Sequence, residues 1–196
     1  MSHLRIGVYG GTFDPVHIGH MAVAVNVRHT LRLDRLLMVV ANVPWQKAGG
    51  RAVSPAEDRL AMVEAATNGL EGVEASRLEI DRGGSSYSAD TLAELADMYP
   101  GAELYCVVGE DVASIINTWE RVEAVRKLST LVVVNRPGST PVQLHGWREV
   151  QVEVPALDVS STDLRARVAD GRPLEFLVPD PVIRCIQERG LYADRP

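Results

Sequence analysis

The residues best suited to chemistry lie in a glycine-rich run near the start of the chain, GGTFDPVHIGH at residues 10–20. Gly10 and Gly11 follow a short apolar segment and let the backbone turn sharply and come close to a ligand. A helix that begins just after them presents unpaired N–H groups and a positive dipole end, which bind phosphate. His17 and His20 are three residues apart, so at a helix start both can reach the same group. The run predicts a phosphate-binding loop.

Each of these residues also has an ordinary structural interpretation. A glycine pair after a strand can be a simple tight turn, and a single histidine can cap a helix or pack in the core. A metal site is a further alternative, but only Asp14 is available to join the two histidines, and neither a cysteine nor a third histidine lies nearby. We therefore predict no resident metal ion.

A second group of phosphate-binding side chains lies in VSSTDLR, residues 159–165. Ser161 and Thr162 stand at a predicted helix start and Arg165 follows one turn later, an arrangement that can hold terminal phosphates by charge-assisted hydrogen bonds. Plain helix capping explains the two hydroxyls equally well. Lys47, in an irregular loop after the second predicted strand, is expected to face the same crevice. The presence of both motifs in one chain favours phosphate binding.

Length and composition restrict the possible functions. The chain has 196 residues, of which 46% are hydrophobic and 23% charged, as in an average soluble domain. Its net charge of −6 argues against a broad nucleic-acid surface. No apolar run approaches the roughly 20 residues that cross a bilayer, and no signal-peptide pattern opens the chain. The two cysteines have no metal or redox spacing, so we expect a cytoplasmic protein without a membrane partner.

Apolar runs typical of buried strands alternate with helical patterns along the whole chain. Strands are predicted at 4–9, 35–41, 73–80, 102–108, 130–135 and 150–154, and helices at 17–31, 54–68, 89–99, 160–170 and 180–190. The alternation indicates an α/β fold, a Rossmann-like doubly wound parallel sheet covered by helices on both faces. We predict a single domain over residues 1–196, with a C-terminal helical part from about residue 160.

Two helix starts are well marked. Ser54 is a predicted N-cap, with Pro55 in the first helical position and Glu57 completing a capping box. Asp180 and Pro181 repeat the cap and first-position pattern near the end of the chain. In a doubly wound sheet, ligands bind beyond the carboxyl ends of the strands where the strand order reverses, so the loop after the first strand is the leading candidate.

Two enzyme classes fit the motifs poorly. The dinucleotide fingerprint G-x-G-x-x-G is absent from the first loop, which argues against a dehydrogenase. The tetrad HIGH at 17–20 also occurs in class I aminoacyl-tRNA synthetases, but this chain is short and acidic and has no KMSKS-like second signature. The tetrad is better interpreted as one spelling of a broader H-x-G-H site.

With these motifs identified, the chain closely resembles the bacterial nicotinate mononucleotide adenylyltransferases of the H-x-G-H nucleotidylyltransferase superfamily, nearly from end to end. The segments that carry the resemblance are GGTFDPVHIGH (ATP loop), PWQK at 44–47 (lysine loop), GGSSYSADTL at 83–92 (beside the nicotinate ring), VVGEDVASIINTW at 107–119 (ribose-binding stretch and its aromatic residue), RPG at 136–138, and VSSTDLR. Any one of them would indicate only the superfamily, whereas the ordered set is specific to the family.

The resemblance implies transfer of AMP from ATP to nicotinate mononucleotide, giving deamido-NAD and pyrophosphate in NAD biosynthesis, with Mg²⁺ carried by the ATP phosphates. The implied catalytic residues are His17, His20, Lys47 and Arg165. The implied ATP-binding residues are Gly10, Gly11, Thr12, Phe13, Gly109, Asp111, Arg136, Ser161 and Thr162. The implied nicotinate mononucleotide contacts are Ser86, Tyr87, Ser88 and Trp119.

Four positions depart from the family pattern. Ser88 replaces a common threonine and Ser85 a nearby proline, while Gln46 replaces a frequent histidine and Glu110 a small residue. Residues 85–88 belong to the segment that separates nicotinate from nicotinamide, so the preference between these two acceptors stays open at this point.

Alternatives remain in two classes. Another adenylyltransferase of the superfamily, such as one acting on phosphopantetheine, would use the same ATP loop. A catalytically silent nucleotide sensor would be expected to lack one of the two histidines, Lys47 or Arg165, and this chain has all four. The sequence leaves open whether copies of the chain form a homo-oligomer.

Overall fold

The strands form one six-stranded sheet in which all neighbouring pairs are parallel, in a computed structural model that describes residues 3–44, 53–135 and 144–193. The strands are β1 (Arg5–Gly11), β2 (Arg35–Val40), β3 (Val73–Ser76), β4 (Glu103–Gly109), β5 (Ser129–Asn135) and β6 (Glu149–Glu153). Their order is β3-β2-β1-β4-β5-β6. The order reverses between β1 and β4, which confirms the predicted doubly wound sheet and puts the crevice beyond the ends of these two strands.

Helices cover both faces of the sheet. They are α1 (Ile18–Thr30), α2 (Ala56–Thr67), α3 (Leu78–Arg82), α4 (Ser88–Met98), α5 (Glu110–Ala113), α6 (Val122–Leu128), α7 (Ser161–Asp170) and α8 (Asp180–Glu188), with a 3₁₀ turn at Ile116–Thr118. Alternate residues of β2 point to opposite faces: Leu36 and Met38 pack with α1, α2, α7 and α8, whereas Leu37 and Val39 pack with α4, α5 and α6. No helix in the described ranges is long and apolar enough to span a membrane.

The strand predicted at 73–80 is wrong in its second half. β3 ends at Ser76, whose hydroxyl accepts from the Leu78 N–H at 3.4 Å, and the chain then forms helix α3. An ion pair of 2.8 Å between Arg77 and Asp81, four residues apart, supports that helical turn. β3 is an edge strand of the sheet and pairs with β2 over four residues.

Two predicted helix starts shift by one residue. Helix α2 begins at Ala56 with Pro55 in the cap position, and α8 begins at Asp180 after Pro179. The predicted capping box of Ser54 and Glu57 is absent, because the later start puts Pro55, which has no capping side chain, in the cap position. Glu57 accepts from Arg77 at 3.2 Å. Helix α7 starts on a serine as predicted, with Ser160 Oγ accepting from the Asp163 N–H. Both cysteines, Cys106 and Cys185, are free.

Candidate active site

The phosphate loop joins the end of β1 to the start of α1 and is packed around a buried phenylalanine. Phe13 has a positive φ of 49° and an exposure of only 2%. A Cβ on Gly11 would lie 2.6 Å from its ring, so only glycine fits there with the ring in this position. The ring edge meets His20 with 5.1 Å between centroids. Phe13 thus shapes the loop from beneath, and any contact of this residue with ATP would come from its backbone.

The two histidines of the loop stack against each other at the start of α1. Their ring centroids are 3.8 Å apart, and the backbone N–H of His17 donates to His20 Nδ1 at 3.3 Å. His17 is in the cap position and buried, and burial lowers its pKa to about 4. At neutral pH its imidazole is therefore uncharged and can donate one N–H. Gly19 makes space for this ring, since a Cβ there would lie 3.1 Å from it.

Helix α7 brings the second phosphate motif onto the same loop. Arg165 Nη1 donates to the Asp14 carbonyl at 2.6 Å, and its Nη2 donates to Thr162 Oγ1 at 3.0 Å. Ser161 Oγ donates to the Pro15 carbonyl at 2.9 Å. The two motifs, which are about 150 residues apart in the sequence, thus meet, and Arg165 lies beside the histidine loop.

A cleft of about 290 Å³ opens beyond the ends of β1 and β4, next to the phosphate loop. Its described lining includes Gly10, Gly11, Thr12, Pro44, Glu79, Ser86, Tyr87, Ser88, Gly109, Val112, Trp119 and Glu120. All four residues predicted to contact the acceptor nucleotide are in this set. The histidines and Arg165 are not, so the cleft and the phosphate loop are adjacent regions that share residues 10–12.

The segment before α4 is fastened to the end of β2. Ser86 Oγ accepts from the Asn42 N–H at 2.8 Å, and the Ser86 N–H donates to the Val43 carbonyl at 3.1 Å. The Asn42 side-chain amide donates to the Gly84 carbonyl at 2.9 Å. Tyr87 then takes the cap position of α4 and Ser88 its first helical position, at the wall of the cleft.

The opposite wall of the cleft comes from the segment after β4. Trp119 is half-buried, and its Nε1 is buried without a hydrogen-bond partner among the described residues. Gly109 ends β4 at the cleft, whereas Asp111 is exposed at the start of α5 and outside the lining. Glu110 is half-buried beside it. An aromatic face and a glycine therefore bound the space in which a ring could lie.

Beneath the cleft lies a polar cluster that sequence reasoning missed. Glu79 is 6% exposed and accepts from Thr91 Oγ1 at 2.6 Å. Arg82 donates to Thr91 at 3.1 Å and to Glu94 at 3.0 Å. These contacts tie α3 to α4 on either side of residues 83–87. The predicted strand at 73–80 concealed them, since a strand would not have placed Glu79 and Arg82 on one helical face.

The sequence reasoning missed Arg59, Asn42 and Tyr192 and weighed Asp14 only as a metal ligand, although all four hold the loops of the site. Arg59 donates to the backbone of Thr12, and Tyr192 donates to Asp14 Oδ1 at 2.7 Å. No local signal marks Arg59, because it directly follows Glu57 and Asp58 in a charged first turn of α2.

Two predicted phosphate ligands, Lys47 and Arg136, lie outside the described residues, as do Trp45 and Gln46 of the lysine loop. Within the described ranges no group of three or more His, Cys, Asp or Glu residues is arranged to hold a metal ion.

Comparison with known proteins identifies consistent relatives. Residues 8–167 match the Cytidylyltransferase-like family. A "Probable nicotinate-nucleotide adenylyltransferase" of Corynebacterium kroppenstedtii is 43% identical over 192 residues, covering 96% of this chain and 90% of that protein. One of the same description from Streptomyces coelicolor is 45% identical over 185 residues, covering 93% and 98%. The structure of Plasmodium falciparum nicotinic acid mononucleotide adenylyltransferase complexed with NaAD shares the fold, with a TM-score of 0.81, 18% identity and coverage of 97% and 98%.

Proposed function

The chain belongs to the nicotinate-nucleotide adenylyltransferases of the Cytidylyltransferase-like family, and from this membership we propose that it transfers AMP from Mg-ATP to nicotinate mononucleotide, giving deamido-NAD and pyrophosphate. The observation that carries the proposal is the adjacency of a phosphate loop with two histidines and Arg165 to a cleft lined by Ser86–Ser88 and Trp119. The two regions share residues 10–12, where the reacting phosphates would meet. This step belongs to NAD biosynthesis.

The reaction joins an acceptor phosphate oxygen to the α-phosphorus of ATP while the bond to pyrophosphate breaks. No covalent intermediate with the protein is needed, so catalysis consists of alignment and stabilisation of negative charge. His17 and His20 are suited to donate hydrogen bonds to the phosphates around the α-phosphorus. Because His17 is neutral at pH 7, the negative phosphates would favour its protonation and raise its pKa as they bind.

The leaving pyrophosphate carries negative charge that positively charged side chains must stabilise in addition to the hydrogen bonds of the histidines. Arg165 already lies against the loop, with its guanidinium held by the Asp14 carbonyl and Thr162. We assign it, together with Ser161, Thr162, Lys47 and Arg136, to the β- and γ-phosphates. Mg²⁺ enters with ATP as part of the substrate, since it is commonly bound through phosphate oxygens and water.

The cleft is suited to the pyridine ring and its carboxylate. Trp119 offers an aromatic face to a positively charged pyridinium, an arrangement that cation–π attraction favours. Among the described residues lining the cleft none is basic, so the nicotinate carboxylate would be met by Ser88 and by backbone N–H groups at the start of α4. Glu79 and Glu120 add negative charge near the same space and complement the pyridinium. On the ATP side, Asp111 and Gly109 are assigned to the adenosine.

A steady-state assay of pyrophosphate release tests the assignment. Wild-type protein is given Mg-ATP with nicotinate mononucleotide, nicotinamide mononucleotide or phosphopantetheine. We expect the highest kcat/KM with nicotinate mononucleotide. A preference for nicotinamide mononucleotide would keep the reaction and overturn the acceptor, and preference for phosphopantetheine or absence of turnover with all three would overturn the proposal.

A further inference from the structure

One charged side chain in the core is not used by any step above. Arg59 lies in α2 among the buried residues Leu60, Met62 and Val63, and only 1% of its surface is exposed. Burial of a guanidinium is costly unless its N–H groups are hydrogen-bonded. Burial lowers the pKa of Arg59, and the negative charge of Asp14 opposes this effect. The energetic cost of burying this guanidinium indicates that its hydrogen bonds have a function.

Among the described residues the Arg59 guanidinium donates to three backbone carbonyls, one in the phosphate loop and two at the opposite ends of the connection between β2 and α2. Nη1 bonds the Thr12 carbonyl at 2.9 Å, Nη2 the Asn42 carbonyl at 3.1 Å, and Nε the Ser54 carbonyl at 2.8 Å. Thr12 belongs to the phosphate loop, Asn42 follows β2, and Ser54 precedes α2. Because the guanidinium is planar with donors in a fixed fork, it sets the position of the phosphate loop relative to both ends of the β2–α2 connection.

The hydrogen bonds continue from Asn42 to the acceptor side of the cleft. The Asn42 N–H donates to Ser86 Oγ and its side chain to the Gly84 carbonyl, at 2.8 and 2.9 Å. A continuous chain of contacts therefore runs from Thr12 through Arg59 and Asn42 to Ser86. Its two ends are the phosphate loop and the segment proposed to hold the acceptor ring.

A second contact joins the phosphate loop to the end of the β2–α2 connection. Asp14 Oδ2 accepts from the Ser54 N–H at 3.3 Å, while Arg165 bonds the Asp14 carbonyl. The loop that carries the histidines is thus held from both Arg59 and Asp14. Both anchors leave the surface of the cleft free for substrate.

We propose that Arg59 is a positioning residue for adenylyl transfer, which fixes the spacing between the phosphate loop and the acceptor segment by bonding Thr12 and Asn42. The inference rests on the proposed function, since that function requires both substrates to be aligned across residues 10–12. In-line attack depends on alignment within a fraction of an ångström, and a displacement of about 1 Å can lower the rate roughly 100-fold. In the proposed function the phosphate loop holds the ATP phosphates, and residues 86–88 hold the acceptor ring. Loss of the Arg59 fork therefore lowers kcat far more than it weakens the binding of either substrate.

The test is the variant Arg59→Lys, which keeps the positive charge and removes the planar fork. We expect kcat to fall about 10- to 100-fold while the KM values for ATP and nicotinate mononucleotide change by less than about threefold. Amide hydrogen exchange without substrates provides a second readout: the Ser86 N–H, bonded to Val43, exchanges faster in the variant. Exchange is measured in the same way whether or not the protein proves to have the proposed activity.

A matched control is Arg35→Lys. Arg35 bonds Glu74 and Tyr99, also through its guanidinium. It is the first residue of β2 and so lies at the amino ends of the strands, opposite the cleft. This variant keeps the wild-type kcat and the wild-type exchange of Ser86. If Arg59→Lys fails to fold, Asn42→Ala keeps the backbone bonds of residue 42 and removes its side-chain bond to the Gly84 carbonyl, which weakens the link to the acceptor segment. This variant is expected to lower kcat and speed exchange at Ser86.

The outcomes separate this proposal from the proposed function. If the wild type turns over nicotinate mononucleotide but Arg59→Lys keeps its kcat and Ser86 exchange, with only a lower Tm, Arg59 merely stabilises the fold and the inference is overturned. If Arg59→Lys does not fold and Asn42→Ala behaves as wild type, the inference is overturned as well. If the wild type turns over none of the acceptors, the proposed function fails, and with it the catalytic part of this inference.

Discussion

Protonation of His17 should make the stability of this protein depend on pH in a way that one substitution removes. Burial lowers the pKa of His17 from 6.5 to about 4 in the folded state. Between these values the unfolded chain binds a proton that the folded chain does not, so the free energy of unfolding falls as the pH falls. At pH 7.5 the contribution is negligible. At pH 5.0 it reaches about 2 kcal/mol, and below pH 4 it approaches about 3 kcal/mol.

Urea denaturation at pH 7.5 and pH 5.0 measures this effect. Other titrating groups change stability over the same range, so the wild type is compared with His17→Gln, which has a neutral side chain at both pH values. We expect the wild type to lose about 2 kcal/mol more than His17→Gln between the two pH values. His29→Gln removes an exposed histidine of the same helix and should keep the wild-type loss. Equal losses in wild type and His17→Gln would refute the burial argument.

Three further predictions concern the loop, the phosphates and the acceptor. Gly11→Ala should lower the free energy of unfolding by about 1–3 kcal/mol, because the added Cβ meets the Phe13 ring. Gly10→Ala adds its Cβ in open space and should keep the wild-type stability. Equal stabilities of the two variants in thermal denaturation would contradict this prediction. Arg165→Ala should raise the KM for ATP more than that for nicotinate mononucleotide, and the reverse pattern in steady-state kinetics would reject the assignment. Trp119→Leu should weaken nicotinate mononucleotide binding and leave ATP binding unchanged, as measured by calorimetry. Equal losses of affinity for both ligands would contradict the assignment of Trp119 to the acceptor.

The sheet and the position of the site follow from patterns that a sequence displays directly. Short apolar runs alternating with helical periodicity predict parallel strands, and the glycine pair at the end of the first run marks the loop after it. The helix that carries Arg165 is predictable from its serine cap. Its contact with the loop of Asp14 required the motif as well, since no local pattern shows that residues about 150 apart will touch.

The contacts that hold the loops could not be derived in the same way. Arg59 and Asn42 bond backbone carbonyls of other loops. Because every residue has a backbone carbonyl, no residue type in the sequence marks the partner. Helix α3 was missed because residues 73–80 begin as a strand and lack a strong break before Leu78. Local hydrogen bonding by Ser76 and an ion pair of Arg77 decide the change of structure there.

Product analysis tests whether the chain joins AMP to nicotinate mononucleotide with the help of His20. Wild type and His20→Ala are each incubated with Mg-ATP and nicotinate mononucleotide, and deamido-NAD and pyrophosphate are quantified by chromatography and mass spectrometry. We expect the wild type to form the two products in equal amounts and His20→Ala, while still folded, to form them far more slowly. Consumption of ATP without a dinucleotide product, or full activity of His20→Ala, would contradict this expectation.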